Sequence, residues 1–329
     1  MSAVRRTILY KLLPWVITAA ALYFAFHSVD LAALMSHIGE TNKAWLALAF
    51  GLTCASYIFR SRRWQFLFPE KCISFRDSAR VLILGFFMNN ILPARTGELV
   101  RAHMGARTTD SSRTLVLATI ASERLVDGVT ISLMFIAASY FIHDYQYAQE
   151  LRYVALVFIG ALAGVGCVLL LREKLFAFGN KLDERLNHRA SSYTLEKAQV
   201  FINGLLPLFS PKRFPIISMW SLVIWSAEMF VYVAVSEAFG ASMSLSMCVL
   251  FMVTVNFSSL IPAAPGGLGV IEAAATTVLV SLGFEKEQAL AMALVQHMIQ
   301  YLVVGVPGAF ALLTWRHEVE LAQQSSEIA

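Results

Sequence analysis

The chain has 329 residues, of which 57% are hydrophobic and 15% charged, and its formal net charge is +4. Ordinary soluble domains carry about 25% charged residues. The composition therefore excludes a disordered chain, a protein devoted to nucleic-acid binding and a conventional soluble enzyme. It predicts an integral membrane protein, because several charge-free runs reach the roughly 17–25 residues that a helix needs to cross hydrocarbon.

Apolar runs along the chain predict an all-α polytopic membrane protein with six full crossings in a single transmembrane domain, 1–329. The N-terminal run follows two arginines and resembles a signal peptide, but its length favours a retained first helix. A first part, 1–143, and a second part, 214–315, flank a cytoplasmic connection at 172–213, and a cytoplasmic tail follows at 316–329. The predicted crossings are Leu12–Val29, Ala44–Phe59, Thr114–Ile142, Tyr153–Leu171, Phe214–Phe239 and Gln288–Thr314.

Two further apolar segments do not fit a straight crossing. Val81–Pro93 is too short, and Met247–Leu282 is interrupted by proline and glycine, which remove a helical donor or destabilise helix. Freed backbone at membrane depth is tolerated only against protein or a wet cavity. We therefore predict two re-entrant helical hairpins, at about 78–107 and 247–282. The residues expected to shape them are Pro93, Gly97, Pro262, Pro265, Gly266, Gly267 and Gly269.

The two broken segments resemble each other. The stretch Ile91–Gly97 aligns without gaps on Leu260–Gly266, at an offset of 169 residues. A polar pair precedes each break, and each break lies between two crossings that run in opposite senses in the two halves. This pattern predicts an inverted repeat whose hairpins enter from opposite faces, an architecture found in many secondary transporters.

The distribution of positive charge predicts the orientation. With the N-terminus inside, 22 of the 26 lysine and arginine residues lie on the cytoplasmic side, including six in a loop at Arg60–Arg80. Such a bias is strong positive-inside evidence. It predicts that both termini are cytoplasmic.

Charges within or beside apolar spans are costly, about 2.5–3.5 kcal/mol each at the centre of a span, and they mark functional sites. Glu123 and Asp127 share one helical face, and Arg124, three residues before Asp127, is placed to neutralise Asp127 in part. His297 is expected to form an interhelical hydrogen bond. The residues that we predict to bind or transport a substrate are Asn89, Asn90, Arg95, Glu98, Arg101, Glu123, Arg124, Asp127, Glu228 and Glu272.

Motifs for catalysis, metals and cofactors give no signal. The four cysteines are scattered, and the chain has no metalloprotease or nucleophile-elbow motif. The turn at Pro265–Gly269 could present amides to an anion, but it lacks the features of a P-loop. We therefore expect no catalytic residue, no metal and no cofactor.

Three ordered motifs resemble a known family. They are Asn89-Asn90-x-x-Pro93-x-Arg95-x-Gly97-Glu98-x-x-Arg101, then Glu123-Arg124-x-x-Asp127, then Pro262-x-x-Pro265-Gly266-Gly267-Leu268-Gly269-x-x-Glu272. The pattern resembles the transmembrane domain of lysylphosphatidylglycerol synthase/flippase proteins, and it is similar to stand-alone YbhN-type and hopanoid-cluster membrane proteins. The resemblance implies a bacterial inner-membrane protein that moves or binds a lipid. Implied substrates are anionic or aminoacylated phospholipids and polyprenyl or hopanoid lipids. Only about 15 polar residues follow the last crossing, so no aminoacyltransferase domain is expected.

The functional expectation is a lipid flippase or transporter without chemistry on its substrate. Arg95, Arg101 and Arg124 would engage a phosphate, and the carboxylates would balance them, bind a cationic headgroup or carry protons. Two alternatives stay open: a membrane-embedded enzyme subunit acting on a lipid-linked group, and an ion-coupled carrier of a small solute.

Overall fold

The computed structural model describes residues 3–328 apart from 70–72, 93–95, 142–147, 187–188 and 262, and these residues form helices and loops without any strand. Three helices are long and apolar enough to cross a membrane alone, and up to five crossings result when two bent helix pairs are counted. The first half contains α1 Ala3–Phe26, α2 Leu31–Gly39, α3 Lys43–Leu67, α4 Phe75–Ile91, α5 Gly97–Thr109 and α6 Arg113–Ser139. The second half contains α7 Ala148–Leu170, α8 Arg172–Leu186, α9 Arg189–Gly204, α10 Leu206–Phe209, α11 Phe214–Ala238, α12 Leu245–Ser258, α13 Val270–Ser281 and α14 Lys286–Ile328.

Every predicted crossing overlaps a helix, but the boundaries of several helices differ from those predicted. The helix predicted to end at Phe59 continues to Leu67, so the predicted loop at Arg60–Arg80 starts eight residues later than expected. The reason is the buried face of α3, which continues through the arginines with a spacing of three and four. That face is formed by Ala49, Thr53, Ser56, Arg60, Arg63 and Leu67.

Further differences from the prediction lie at two sharp bends, in the connection between the halves and in the tail. The chain turns by 82° between α1 and α2, and by 66° between α7 and α8. The predicted cytoplasmic connection, 172–213, contains three helices, α8 to α10, and the predicted tail continues the helix of α14. Helix α9 packs against α6, and α10 contacts α3 and α11.

Helices α4 and α5 form an antiparallel pair on either side of the first break. A Cβ on Gly97 would lie 2.2 Å from the carbonyl oxygen of Gly85 and 2.6 Å from the amide nitrogen of Asn89. A Cβ on Gly85 would in turn lie 2.8 Å from the Cβ of Arg101. Gly97 of α5 thus faces Asn89 of α4, and Arg101, later in α5, faces Gly85, earlier in α4. The two helices therefore run in opposite directions with their backbones in contact.

Helices α12 and α13 flank the second break in the same way and pack against each other. The chain between them contains a 3-10 turn at Pro265–Gly267, in which Gly266 has a φ of 69°. This left-handed backbone favours glycine. The turn contacts α4, which brings the second break against the first helix pair.

An extensive apolar core joins α3, α6, α11, α12, α13 and α14 around Tyr232 and Phe251, and a smaller one surrounds Trp64. Helices α3 and α11 pack along their length. Between these cores lie the buried charged groups described below.

Candidate functional site

A cavity of about 200 Å³ lies where the two breaks meet. It is bounded by the end of α4, the residues after α12 and the 3-10 turn. Its polar lining comprises Asn89, Asn90, Arg124, Ser259 and the backbone at Gly266 and Gly267. Arg124 is the one charged side chain in this lining among the described residues. The buried Oδ1 of Asn89 has no hydrogen-bond partner within the described part of the chain, and it lies against Gly97 of α5.

Arg124 extends from α6 towards the cavity and is held by three carboxylates. Its Nε lies 3.2 Å from Glu98 Oε1, its Nη2 donates to Glu123 Oε1 at 3.2 Å, and its Nη1 lies 4.0 Å from Asp127 Oδ2. The side chains of Arg124 and Glu98 are 29% and 30% exposed. This ion pair can therefore open towards a solute in the cavity.

Arg101 and Glu123 form a buried bidentate ion pair that links α5 to α6. The guanidinium donates to both carboxylate oxygens, at 3.0 Å and 2.6 Å. The two side chains are only 2% and 0% exposed, and Arg101 also lies 4.1 Å above the ring of Trp64. Arg101 does not line the cavity, so a phosphate bound in the cavity would not contact this residue as predicted.

Asp127 is the acceptor at the centre of a second buried pair. Arg63 donates to its two oxygens at 2.6 Å and 3.1 Å, and the indole of Trp225 donates to Oδ1 at 2.8 Å. Arg63 also donates to the hydroxyl of Ser221 at 2.8 Å. These bonds tie α3 and α11 to α6.

Arg60 connects Asp127 to Glu228. Its guanidinium lies 3.6 Å from Asp127 Oδ2 and 3.7 Å from Glu228 Oε2. Glu228 also accepts hydrogen bonds from Ser56, at 3.1 Å, and from the amide of Gln300, at 2.5 Å. The network thus reaches α14.

Among the described residues, four guanidinium groups and four carboxylates make up this network, so the charges of these eight groups balance. A buried charge is tolerated when it is paired and hydrogen-bonded. The eight residues are Arg60, Arg63, Glu98, Arg101, Glu123, Arg124, Asp127 and Glu228. Sequence reasoning missed Arg60 and Arg63 because it assigned them to a cytoplasmic loop. The signal that could have found them is their spacing from Ser56 on one face of α3.

Glu272 lies in a different cluster. Its Oε1 is 2.5 Å from Nδ1 of His297, which makes the interhelical hydrogen bond that the sequence predicts for this histidine. Its Oε2 accepts from the backbone N–H of Gly269 at 2.7 Å and so caps α13. Both side chains are buried.

The glycine-rich turn is held by two side chains that the sequence does not single out. The hydroxyl of Thr18 accepts from the N–H of Ala264 at 2.8 Å and lies 3.2 Å from the carbonyl oxygen of Leu268. Tyr301 donates to the carbonyl oxygen of Pro265 at 3.3 Å. Helices α1 and α14 therefore fix the wall of the cavity.

The predicted site residues thus fall into separate groups. Asn89, Asn90 and Arg124 line the cavity, five carboxylate or arginine residues lie behind it in the network, and Glu272 belongs to the histidine cluster. Of the predicted hairpin-shaping glycines, Gly266 and Gly267 form the cavity wall, Gly97 packs on α4 and Gly269 packs on α1. Three predicted residues lie outside the described residues: Pro93, Arg95 and Pro262.

Comparison with known protein families places this chain in one of them. The sequence model of the lysylphosphatidylglycerol synthase TM region matches residues 11–308, which is most of the chain. The chain belongs to this family. The matched segment contains the residues of the cavity, the charge network and the histidine cluster.

Similar proteins of this family come from archaea. The glycosyltransferase AglD of Haloferax volcanii is 26% identical over 95% of this chain, which spans only 55% of AglD. A UPF0104 membrane protein of Methanocaldococcus jannaschii is 19% identical over 92% of this chain and 97% of its own length. Another, from Pyrococcus horikoshii, is 20% identical over 82% and 86%. These sources lend no support to the expected bacterial membrane.

Proposed function

We propose that this family member is a lipid flippase or transporter that moves a membrane lipid through the cavity without altering it chemically. The observation that carries the proposal is the position of Arg124 at the wall of the cavity between the two breaks. A guanidinium presents donors in a fork that matches phosphate oxygens. Anionic or aminoacylated phospholipids and polyprenyl phosphates fit this group, whereas a hopanoid without phosphate does not.

Apolar grooves along α6 offer a place for the lipid tails. One groove of about 290 Å³ lies among α6, α7 and α11, and another of about 530 Å³ lies among α6, α11 and α12. Met134 lines both, so they adjoin. Because α6 also carries Arg124, a single helix presents a polar wall to a headgroup and apolar walls to its tails.

The proposed topology has six crossings, α1, α3, α6, α7, α11 and α14, with both termini in the cytoplasm. Helices α5, α12 and α13 have 13, 14 and 12 residues, so at about 1.5 Å per residue each is too short for a bilayer core of about 30 Å. Their shortness supports two re-entrant pairs, in which α4, with 17 residues, is the longest arm, and the opposite senses of the flanking crossings support entry from opposite sides. Reporter fusions at the C-terminus and at Ser111 test the sidedness, and a C-terminus outside would contradict it.

The function is tested with the purified chain in liposomes that contain fluorescent phosphatidylglycerol. Transbilayer movement is followed by bleaching of the label in the outer leaflet. A charge-assisted hydrogen bond contributes about 1.5–3 kcal/mol, so we expect Arg124→Gln to slow movement at least about tenfold. Arg62→Gln is the matched control, since Arg62 is exposed and bonds only to Gln65 in its own helix.

Two results would contradict the proposal. One is a wild-type rate equal to that of protein-free liposomes, and the other is an Arg124→Gln rate equal to the wild-type rate. Arg124→Lys keeps the charge and controls for loss of the fold. Phosphatidylcholine carrying the same label reports whether the site prefers an anionic lipid.

The similarity to AglD favours a second candidate, a membrane subunit that presents a lipid-linked group to a glycosyltransferase. The chain spans only 55% of AglD. Incubation with a labelled nucleotide sugar and polyprenyl phosphate separates the two candidates. A glycosylated lipid that a cell-membrane extract makes only when the chain is added would favour this second role, and product formation that does not depend on the chain would count against it.

A further inference from the structure

A buried acid–histidine pair joins α13 to α14 and has no part in holding the headgroup. Glu272 and His297 are 2% and 7% exposed, and their side chains approach to 2.5 Å. Ionisable side chains at membrane depth are costly, and they mark ion or proton pathways when they pair with each other. The pair is therefore a candidate for a second function beside the cavity.

The pair is connected to the cavity wall by two routes. The carboxylate of Glu272 caps the N–H of Gly269, at the end of the glycine-rich turn. The ring of Tyr301 lies 4.8 Å from the ring of His297, and its hydroxyl donates to the carbonyl oxygen of Pro265. Gly266 packs so closely on this hydroxyl that a Cβ would lie 1.7 Å from it. A change at the pair thus acts directly on the turn that forms the cavity wall.

The charged groups around the pair decide how it can bind a proton. Within the described part of the chain, neither member forms a second ion pair. Helix α12 contains no charged residue, and α1 contributes Thr18 and Leu22 against the turn. The titratable groups facing Glu272 are therefore His297 and Tyr301, both from α14.

The chemistry of such a pair allows one proton to be gained or lost. With one proton shared between carboxylate and imidazole, the pair is neutral. A second proton gives a carboxylic acid beside an imidazolium, a net positive charge whose burial is unfavourable without a compensating anion. An anionic headgroup in the neighbouring cavity is such an anion. A protonated Glu272 is also a weaker acceptor for the N–H of Gly269, which loosens the cap on the turn.

We propose that the Glu272–His297 pair is a proton-binding site that couples lipid movement to a proton gradient. The proton comes from water, binds to the pair when an anionic headgroup occupies the cavity, and returns to water after the lipid leaves. No bond of the lipid is made or broken. The proposal rests on the flippase function proposed above.

The experiment uses liposomes containing the full chain and labelled phosphatidylglycerol, with a pH difference of one unit across the membrane. One proton moved with each lipid makes a gradient of one unit equivalent to about a tenfold change in the leaflet distribution at equilibrium. Since this is an equilibrium effect, it does not depend on the orientation of the protein in the vesicle. An entrapped pH dye measures the accompanying proton movement.

Two substitutions test the site, and the chain provides a matched control. We expect Glu272→Gln and His297→Gln to let the lipid equilibrate but to abolish the gradient-driven asymmetry. His37 and Glu285 form an exposed pair 3.9 Å apart, with Glu285 81% exposed. His37→Gln and Glu285→Gln should retain the wild-type asymmetry. Glu272→Asp keeps a carboxylate and should retain the gradient-driven asymmetry, and His297→Gln alone tests the loss if Glu272→Gln does not purify as a folded protein.

The outcomes separate the two proposals. Wild-type protein that moves lipid without responding to the gradient would overturn proton coupling and leave the flippase function standing. Substituted pairs that keep the wild-type asymmetry would overturn the assignment to Glu272 and His297. A wild-type protein that moves no lipid would overturn both.

Discussion

The pair Arg101–Glu123 allows a sharp test of the charge network. Glu123→Leu removes the carboxylate of the pair and leaves the guanidinium of Arg101, which is 2% exposed, without the two oxygens to which it donates. Breaking a buried ion pair in this way costs about 3–5 kcal/mol. Arg101→Met, the reciprocal change, should cost about as much, although Arg124 still contacts the remaining carboxylate of Glu123.

The double variant should be far less damaging than either single change. It removes one positive and one negative charge together, so three guanidinium groups still face three carboxylates. Arg124 keeps its contact with Glu98 at 3.2 Å. Replacing a whole buried pair by apolar residues is often neutral. We therefore expect the double variant to lose at least about 3 kcal/mol less than the sum of the single losses.

The assay is thermal unfolding of the purified proteins in detergent. An unfolding entropy of about 2.1 cal/mol/K per residue over 329 residues converts 3–5 kcal/mol into a fall of about 4–7 °C in the midpoint. Lys197 and Glu196 provide a surface control, since this exposed pair should contribute only about 0–1 kcal/mol. Additive single losses in the double variant would refute the reasoning, because they would mean that the two side chains do not neutralise each other.

Two further changes test how the breaks are packed. Gly97→Ala places a Cβ 2.2 Å from a backbone oxygen of α4 and should lower the free energy of unfolding by about 3 kcal/mol or more. Gly160→Ala is the control, because its Cβ meets nothing within 4 Å, and it should not destabilise the protein. Equal unfolding midpoints for the two variants would contradict the antiparallel packing of α4 and α5. Thr18→Val leaves the buried N–H of Ala264 without an acceptor and should lower stability by about 1–3 kcal/mol, as measured by denaturant titration. Thr277→Val is its control, because that hydroxyl is exposed and bonds within its own helix. A loss of stability in Thr18→Val no larger than that in Thr277→Val would contradict the role of Thr18 in holding the glycine-rich turn.

The breaks in the helices could be predicted because proline and glycine act locally. The polar residues before the first break and the glycines of the second indeed line one cavity. The arginines of α3 were assigned wrongly, since charge alone suggests a loop. Only their spacing from Ser56 reveals that Arg60 and Arg63 continue a buried face.

Contacts between distant helices could not be predicted from local patterns. Thr18 is an ordinary polar residue in an apolar helix, and its role depends on the packing of α1 against a turn 246 residues away. The partner of Glu272 was equally hidden, because His297 lies on another helix and several polar residues surround it in the sequence. Sequence patterns located the polar groups, but the pairing among them is a property of the assembled bundle.

The balanced network also has a consequence for how the protein enters its membrane. Helix α6 carries Glu123, Arg124 and Asp127, and each charge near the centre of a lone helix opposes insertion by about 2.5–3.5 kcal/mol. It does not qualify as a crossing by itself. Its partners on α3 and α5 are synthesised first, so they are already present when α6 emerges. If α6 crosses the membrane as proposed, we expect its integration to depend on helices made before it, so a chain lacking α3 should leave α6 outside the bilayer during biogenesis.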